Sequence, residues 1–482
     1  MNRRIVLVLA SVFAGMAGAF AQEESQAPPP PSIPVVKMPL RPTAAPVPAL
    51  RYTLLPELRE TTPGNAALLY YRAFSPEWIK NWLQSDVTEA VDKAQSEPLA
   101  ELKSRHATDL VASLRGAQML REVDRAARRQ YCDWDLVGRA REDGISMLLP
   151  DVQGLRHFGR MLAVRARLEL ADGDFDKATH TLQTGMQLGR HAADAPTLIQ
   201  ALVGIAITNV MLNQVEEFIR APGSPNLYWA LTGLPQPFVD LRRPYQGERM
   251  LLDSLLPGFR EALRDPSARP LSAAQMEDLA LKLAAAANEA RTDAKTLLFA
   301  MGLKKYSTAK EFLRHTGRTE EQINSLPVLQ AVMLYEVAEY DRLFDEFFKW
   351  VGLPYEVQRR GLDEADRGVR ELVARVGAPG LSLPGLLLPA VHKVSEAGVR
   401  LDRRICGLRC VEAIRLHAAG HGGQLPATLA AITEVPLPAD PVTGQPFQYD
   451  VSGGTATLTA PPPGRDEPHP NNSFKYEITI VR

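Results

Sequence analysis

Two apolar stripes joined by a short break constrain this chain more than any other feature. Leu155, Phe158, Leu162, Arg165 and Leu168 share one face at helical spacing, and Phe175, Ala178, Leu182, Met186 and Gly189 share a second. Between them, Ala171-Asp172-Gly173-Asp174 offers a glycine free to take positive φ and an aspartate placed to cap the next helix. The spacing predicts a tight helical hairpin. A third stripe, Leu198, Leu202, Ile205, Val215 and Ile219, opens after Pro196 and predicts a third helix. With 38 prolines and aromatics at 7%, the 482 residues read as helices with proline punctuation rather than as a β-sandwich.

The run from Arg165 to Ala178, followed by Leu182, resembles helix A, tight turn and helix B of a tetratricopeptide repeat. Small residues at Ala171, Ala178 and Gly185 suit the close helix contacts of such a unit. The resemblance covers one unit of about 34 residues, and no second copy follows at that period. It implies a TPR-like, mainly α-helical scaffold, a class that binds peptides or proteins.

Helical patterning extends from about residue 51 to 377, with one long interruption over 221–247. There, Pro222, Pro225, Pro235, Pro237 and Pro244 enclose Tyr228, Trp229 and Phe238. Two readings stand: the aromatics cover the core, or they line a groove that binds an extended ligand. Helices resume at 248–263, 271–301 and 327–351. The last carries Met333, Val337, Tyr340, Phe344, Phe347 and Phe348 as a core stripe. Ala378-Pro379-Gly380 through Pro389 then predicts a break before the final segment.

That segment begins with a helix from about Val391 to Gly420, stopped at His421-Gly422-Gly423. Three β-prone runs follow, Phe447–Val451, Thr455–Ala460 and Phe474–Val481, and Ser452-Gly453-Gly454 joins the first two as a hairpin. A small α+β tail of about three antiparallel strands is therefore expected. Ala413-Ile414-Arg415-Leu416-His417, Gly422, Leu425-Pro426, Asp440-Pro441 and Thr443-Gly444-Gln445-Pro446-Phe447-Gln448-Tyr449 resemble the soluble part of a type II secretion pseudopilin. No prepilin cleavage motif precedes the helix. Lys393, Glu396, Arg400, Asp402, Arg403 and Arg404 keep it out of a membrane, so the resemblance implies a borrowed fold rather than pilus assembly. As a whole the chain resembles uncharacterised exported bacterial proteins that share this helix-then-sheet plan.

At the N-terminus, Arg3 and Arg4, the apolar run Ile5–Phe13 and Ala19-Phe20-Ala21 form the pattern of a cleaved signal peptide over 1–21. An uncleaved anchor is the alternative. Export predicts a periplasmic or secreted protein. Nine prolines between 28 and 48 predict a disordered tether over 22–50. The expected division is then a helical domain over 51–390 and the pseudopilin-like segment over 391–482. Fifty-five basic against 56 acidic residues give a formal net charge of −1, which becomes −3 once the two arginines leave. That balance excludes bulk electrostatic binding of nucleic acid. No later stretch reads as a membrane span.

Candidate chemistry centres on the last helix. Cys406, Cys410, His417 and His421 lie within about 60° of its surface, a thiolate and imidazole face suited to a soft metal. The axial rise of about 10 Å from Cys410 to His417 forbids one shared ion. Two half-sites, each needing ligands from elsewhere, are the most this face offers. Alternatively, the cysteines are small apolar core residues, His417 fills an aromatic slot, and His421 sits at the helix end, favoured by its dipole. Cys132 is flanked by Asp133, which raises a thiol pKa, and Asp133 with Asp135 is a carboxylate pair in a connecting loop. Asp466, Glu467, Asn471 and Asn472 suggest a calcium loop by analogy with major pseudopilins. Templates for haem attachment, phosphate loops, dinucleotide binding, zinc proteases and the nucleophile elbow are missing, so no cofactor is expected. The sequence predicts an exported helical scaffold or protein-binding module without catalytic activity, its partner another envelope or secreted protein. The alternatives are an envelope enzyme acting on a polymer, with the 221–247 loop lining the cleft, and an accessory of a pilin-type secretion system.

Overall fold

A computed structural model describes residues 33, 35–75, 85–104, 111–136, 138, 150–289, 294–376, 382–462 and 472–481. The expected signal peptide, the start of the tether and Asp466, Glu467 and Asn471 lie outside these residues. The protein is mainly helical, with a small sheet built around the C-terminal strands.

The chain enters as a strand, β1 (Val35–Leu40), followed by the short β2 (Thr62–Asn65) and helices α1 (Ala66–Ala73), α2 (Ser85–Ala94), α3 (Leu99–Ser104) and α4 (Gln118–Ala127). A strand β3 (Arg129–Tyr131) pairs in parallel with β2. The predicted hairpin follows as α5 (Pro150–Ala171) and α6 (Phe175–Ala193), and the third stripe forms α7 (Leu198–Arg220). Gly173 takes φ +76° at the turn, and the Asp174 carboxylate accepts the Lys177 N–H at 3.0 Å as the cap. Thr197, rather than Pro196, starts α7, its hydroxyl accepting the Gln200 N–H at 3.2 Å.

Helices α6 and α7 pack at glycines. A Cβ placed on Gly204 sits 2.6 Å from the Cβ of Ala193 and closer still to the Gly189 carbonyl, so only hydrogen at that position permits this approach. By length and composition α7 is apolar enough to cross a membrane, which overturns the expectation that no later stretch is. Its apolar side chains instead fill the core, with Val203, Met211, Leu212, Val215 and Phe218 buried.

After α8 (Tyr228–Thr232), a second group of helices runs through α9 (Arg242–Leu255), α10 (Phe259–Arg264), α11 (Ala273–Glu289), α12 (Ala294–His315), α13 (Glu320–Ser325), α14 (Val328–Phe348) and α15 (Tyr355–Val376). The aromatic stripe on α14 lies within this group's own core, as its spacing required: Tyr340, Phe344 and Phe347 are buried. The final helix α16 runs from Leu383 to Gly420, 38 residues, or about 57 Å.

The start of α16 differs from expectation. Pro384 falls in the first turn, where no N–H is needed, and Pro389 is taken into the helix at the loss of one backbone bond. Ser382 caps it through Gly385 N, and Glu336 on α14 accepts the Leu383 N–H at 2.8 Å. The expected boundary between residues 390 and 391 therefore falls inside one continuous helix. Leu388, Val391 and Val394 of α16 pack into the second core. Leu401, Ile405, Leu408, Val411 and Ile414 pack into the first, together with α5–α8 and the sheet. From Leu401 onward the C-terminal segment is thus part of the first core rather than a separate tail.

The sheet has four strands, not three. Antiparallel β4 (Gln448–Ser452), β5 (Thr455–Ala460) and β6 (Phe474–Ile480) follow the predicted runs within a residue. Gly453 and Gly454 turn the β4–β5 hairpin at φ +57° and +81°, the left-handed pair that a two-residue turn requires. The fourth strand is β1, parallel to β6 from Val35 opposite Lys475 to Leu40 opposite Ile480. The tether expected over 22–50 is corrected here. Met38 and Leu40 alternate into the core, and Pro39 is tolerated because β1 is an edge strand.

Two stability outcomes follow. Met38→Ala should cost about 2–5 kcal/mol in urea unfolding, whereas a residue in a disordered tether costs nothing measurable. Gly204→Ala should cost about 1–3 kcal/mol by overpacking the α6–α7 seam.

Candidate functional site

The aromatic loop over 221–247 is held down by acids on α16. Glu412 accepts the Leu227 N–H at 2.7 Å and the Asn226 amide at 3.0 Å, and Asp402 accepts the Phe238 N–H at 2.8 Å. Burial pushes the Asp402 carboxyl up to about 7. Tyr228 is fully buried and donates its hydroxyl to the Pro436 carbonyl. Phe238 is buried too, and Trp229 packs half-buried edge-on to Tyr228 at 5.1 Å. Tyr228 and Phe238 therefore do not line a groove for an extended ligand. They are core, because the loop's backbone donors are needed on α16.

All three cysteines are buried and unbridged. Burial pushes the Cys406 thiol up to about 12 and Cys410 and Cys132 higher still. Thiols in this state are poor nucleophiles, and among the described residues the cluster whose donor atoms come close enough to share an ion is His417, His421 and Glu434, without Cys406 or Cys410. At the third cysteine, the Asp133 carboxylate accepts the Asp135 N–H at 3.0 Å, and the Asn65 amide donates to the Asp133 carbonyl at 2.7 Å. Asp133 thereby shapes a turn in which Asp135 takes φ +54°.

The two histidines stay together. Their rings stack at 3.8 Å with 17° between planes. Both meet Glu434, a residue that sequence reasoning did not single out. Glu434 Oε1 lies 3.0 Å from His417 Nδ1 and 3.5 Å from His421 Nδ1. Its other oxygen accepts the Thr433 N–H at 2.9 Å. Burial acts to raise the Glu434 carboxyl pKa, but the backbone N–H groups of Glu434 and Thr433, with His417 beside them, outweigh it and hold it below the usual range. His417 is buried, while His421 and Glu434 open to solvent.

A cavity of about 450 Å³ lies where α7, α16, β1 and β6 meet. Val36, Leu202, Ile205, Ala206, Ala397 and Phe474 supply apolar wall, and Arg400, Arg403, Arg404 and Glu216 supply charge. Two of these arginines are spent. Arg403 forks onto Asp440 at 2.9 and 2.5 Å. Arg404 reaches Glu216 at 2.8 Å and Asn213 at 2.6 Å, and the Tyr476 hydroxyl joins the same Glu216 oxygen at 2.8 Å. Arg400 is different. Its one ion pair among the described residues is a 3.8 Å contact with Glu396, and burial lowers its pKa despite that carboxylate. In the sequence Arg400 signalled only that α16 stays out of a membrane, because the apolar wall comes from strands and helices far away in the chain.

The buried thiols give a direct check. In native protein, Cys132, Cys406 and Cys410 should all resist a thiol-specific chromogenic reagent, and all three should react after unfolding in denaturant. No protein-family model matches this chain, and no curated protein or solved structure matches it either.

Proposed function

We propose that the protein is an exported, non-catalytic helical scaffold that binds another envelope or secreted protein in the periplasm or outside the cell. In this reading the TPR-like hairpin α5–α6 with α7 forms the scaffold, and the cavity around Arg400 receives the partner. The carrying observation is the guanidinium of Arg400, placed in a largely apolar cavity with only a 3.8 Å ion pair. A partly exposed guanidinium with only one long ion pair favours a carboxylate, and the walls beside it favour an apolar side chain. A volume of about 450 Å³ admits a few residues. The ligand chemistry is therefore a chain terminus or acidic side chain next to an apolar residue, presented by a partner protein.

The test uses paired peptide libraries that end in free carboxylates or in amides. The wild-type protein should select free-acid peptides with an apolar residue beside the terminus. Amidation or Arg400→Ala should each weaken the selected peptide about 10- to 100-fold, as loss of a charged hydrogen bond implies. Arg400→Lys should retain part of the affinity. Equal binding of acid and amide forms, or unchanged binding by Arg400→Ala, rules the reading out.

A further inference from the structure

We infer that His417, His421 and Glu434 form a binding site for one divalent transition-metal cation of zinc's chemical class. The site stands apart from the Arg400 cavity and does not depend on its function.

Three observations carry the inference. First, the ligand set is complete without the cysteines. One donor atom from each of the three side chains can be chosen so that all lie within 4.8 Å of one another. A tetrahedral zinc site with bonds of about 2.0 Å needs donors about 3.3 Å apart, so small side-chain rotations close the site. Two of its members open to solvent, giving them room to rotate.

Second, the carboxylate is already aimed. The Thr433 N–H holds Glu434 Oε2 at 2.9 Å, which leaves Oε1 pointing at both imidazoles. A ligand fixed from behind in this way is the usual supporting arrangement of metal sites. His421 is braced likewise: its Nδ1 lies 2.9 Å from the His417 carbonyl. A carbonyl only accepts, so the ring proton stays on Nδ1, and Nε2 keeps its lone pair for a metal.

Third, the surroundings favour a bound cation: the two rings stack at 3.8 Å, close enough for one ion to reach both, and Glu434 supplies negative charge beside them. The site also lies at the C-terminal end of α16, where the helix dipole favours positive charge. Two imidazoles to one carboxylate select zinc, copper, nickel or cobalt rather than the oxygen-seeking calcium or magnesium. Three protein ligands leave a fourth position to water. The cation would tie the end of α16 to the segment carrying Glu434.

Zinc titration of untagged full-length protein, followed by calorimetry, tests the site. One zinc per chain should bind, and zinc should raise the melting temperature. His421→Ala and Glu434→Gln, both on the open side, should each weaken binding at least about tenfold while leaving the circular dichroism spectrum unchanged. Cys406→Ser should bind as the wild type does. Cobalt in place of zinc should give visible d–d bands of a nitrogen–oxygen site without intense thiolate-to-metal charge transfer. Failure of the wild type to bind zinc, equal binding by either open-side variant, or a strong thiolate band would each overturn the assignment.

Discussion

The pair formed by Glu412 and Arg415 on α16 is the contact on which the rest of the first core depends. Both side chains are fully buried, with a carboxylate oxygen 3.3 Å from the guanidinium. Burying two charges costs several kcal/mol each unless every donor and lone pair is satisfied. Here they are met from three directions. Arg415 donates to the Arg41 carbonyl and the Thr43 hydroxyl at 2.8 Å, and to Ser224 through its carbonyl at 2.5 Å and its hydroxyl at 2.8 Å. Glu412 takes the Leu227 and Asn226 donors. One ion pair therefore anchors the chain just after β1, the start of the aromatic loop and α16 at a single point. Any one of these segments, if displaced, leaves an uncompensated charge in the core.

That anchor makes α16 a beam shared by two cores. Its first half is fixed by the second helical group. Glu336 both pairs with the Lys305 ammonium at 2.5 Å and accepts the Leu383 N–H, and the Tyr245 hydroxyl donates to the Val391 carbonyl at 2.9 Å. The second half is fixed by the Glu412–Arg415 network and by the Arg403–Asp440 fork, which draws in the loop before β4. Polar contacts give register where leucines alone permit sliding. They explain why a long helix with two prolines near its start still has one defined position.

What the sequence disclosed was what local chemistry decides. Gly173, Asp174 and the Gly453-Gly454 turn are read within four residues, and each is found in its expected conformation. What it withheld depends on partners far along the chain. The six residues of β1 sit among prolines and look like tether until β6, some 440 positions later, supplies the pairing edge. The face shared by Cys406, Cys410, His417 and His421 is evident from spacing. The depth of each side chain is not, and depth divides the buried thiols and His417 from the open His421. Glu434 lies 17 residues past His417 on a loop whose path only the packed core defines. Arg400 looked like one of six charges on a helix, and only its neighbours' pairing with Glu216 and Asp440 leaves it distinct.

The same beam bears on whether the two proposed sites communicate. Arg400 and His417 are 17 positions apart on α16, about 26 Å along its axis. Coupling over that distance needs an element with two discrete arrangements that both sites bias. Between the two residues α16 is clamped by Arg403 to Asp440, by Arg404 to Glu216 and by Arg415 to Ser224 and Thr43. A sliding or rotating α16 would break charge-assisted bonds in several places at once, and burial makes each break expensive. A cation at the helix end would therefore stiffen the region that holds Glu434 without altering the Arg400 cavity. Occupancy of the cavity would be equally silent at the histidines. The geometry favours two independent sites on a rigid support over an allosteric pair.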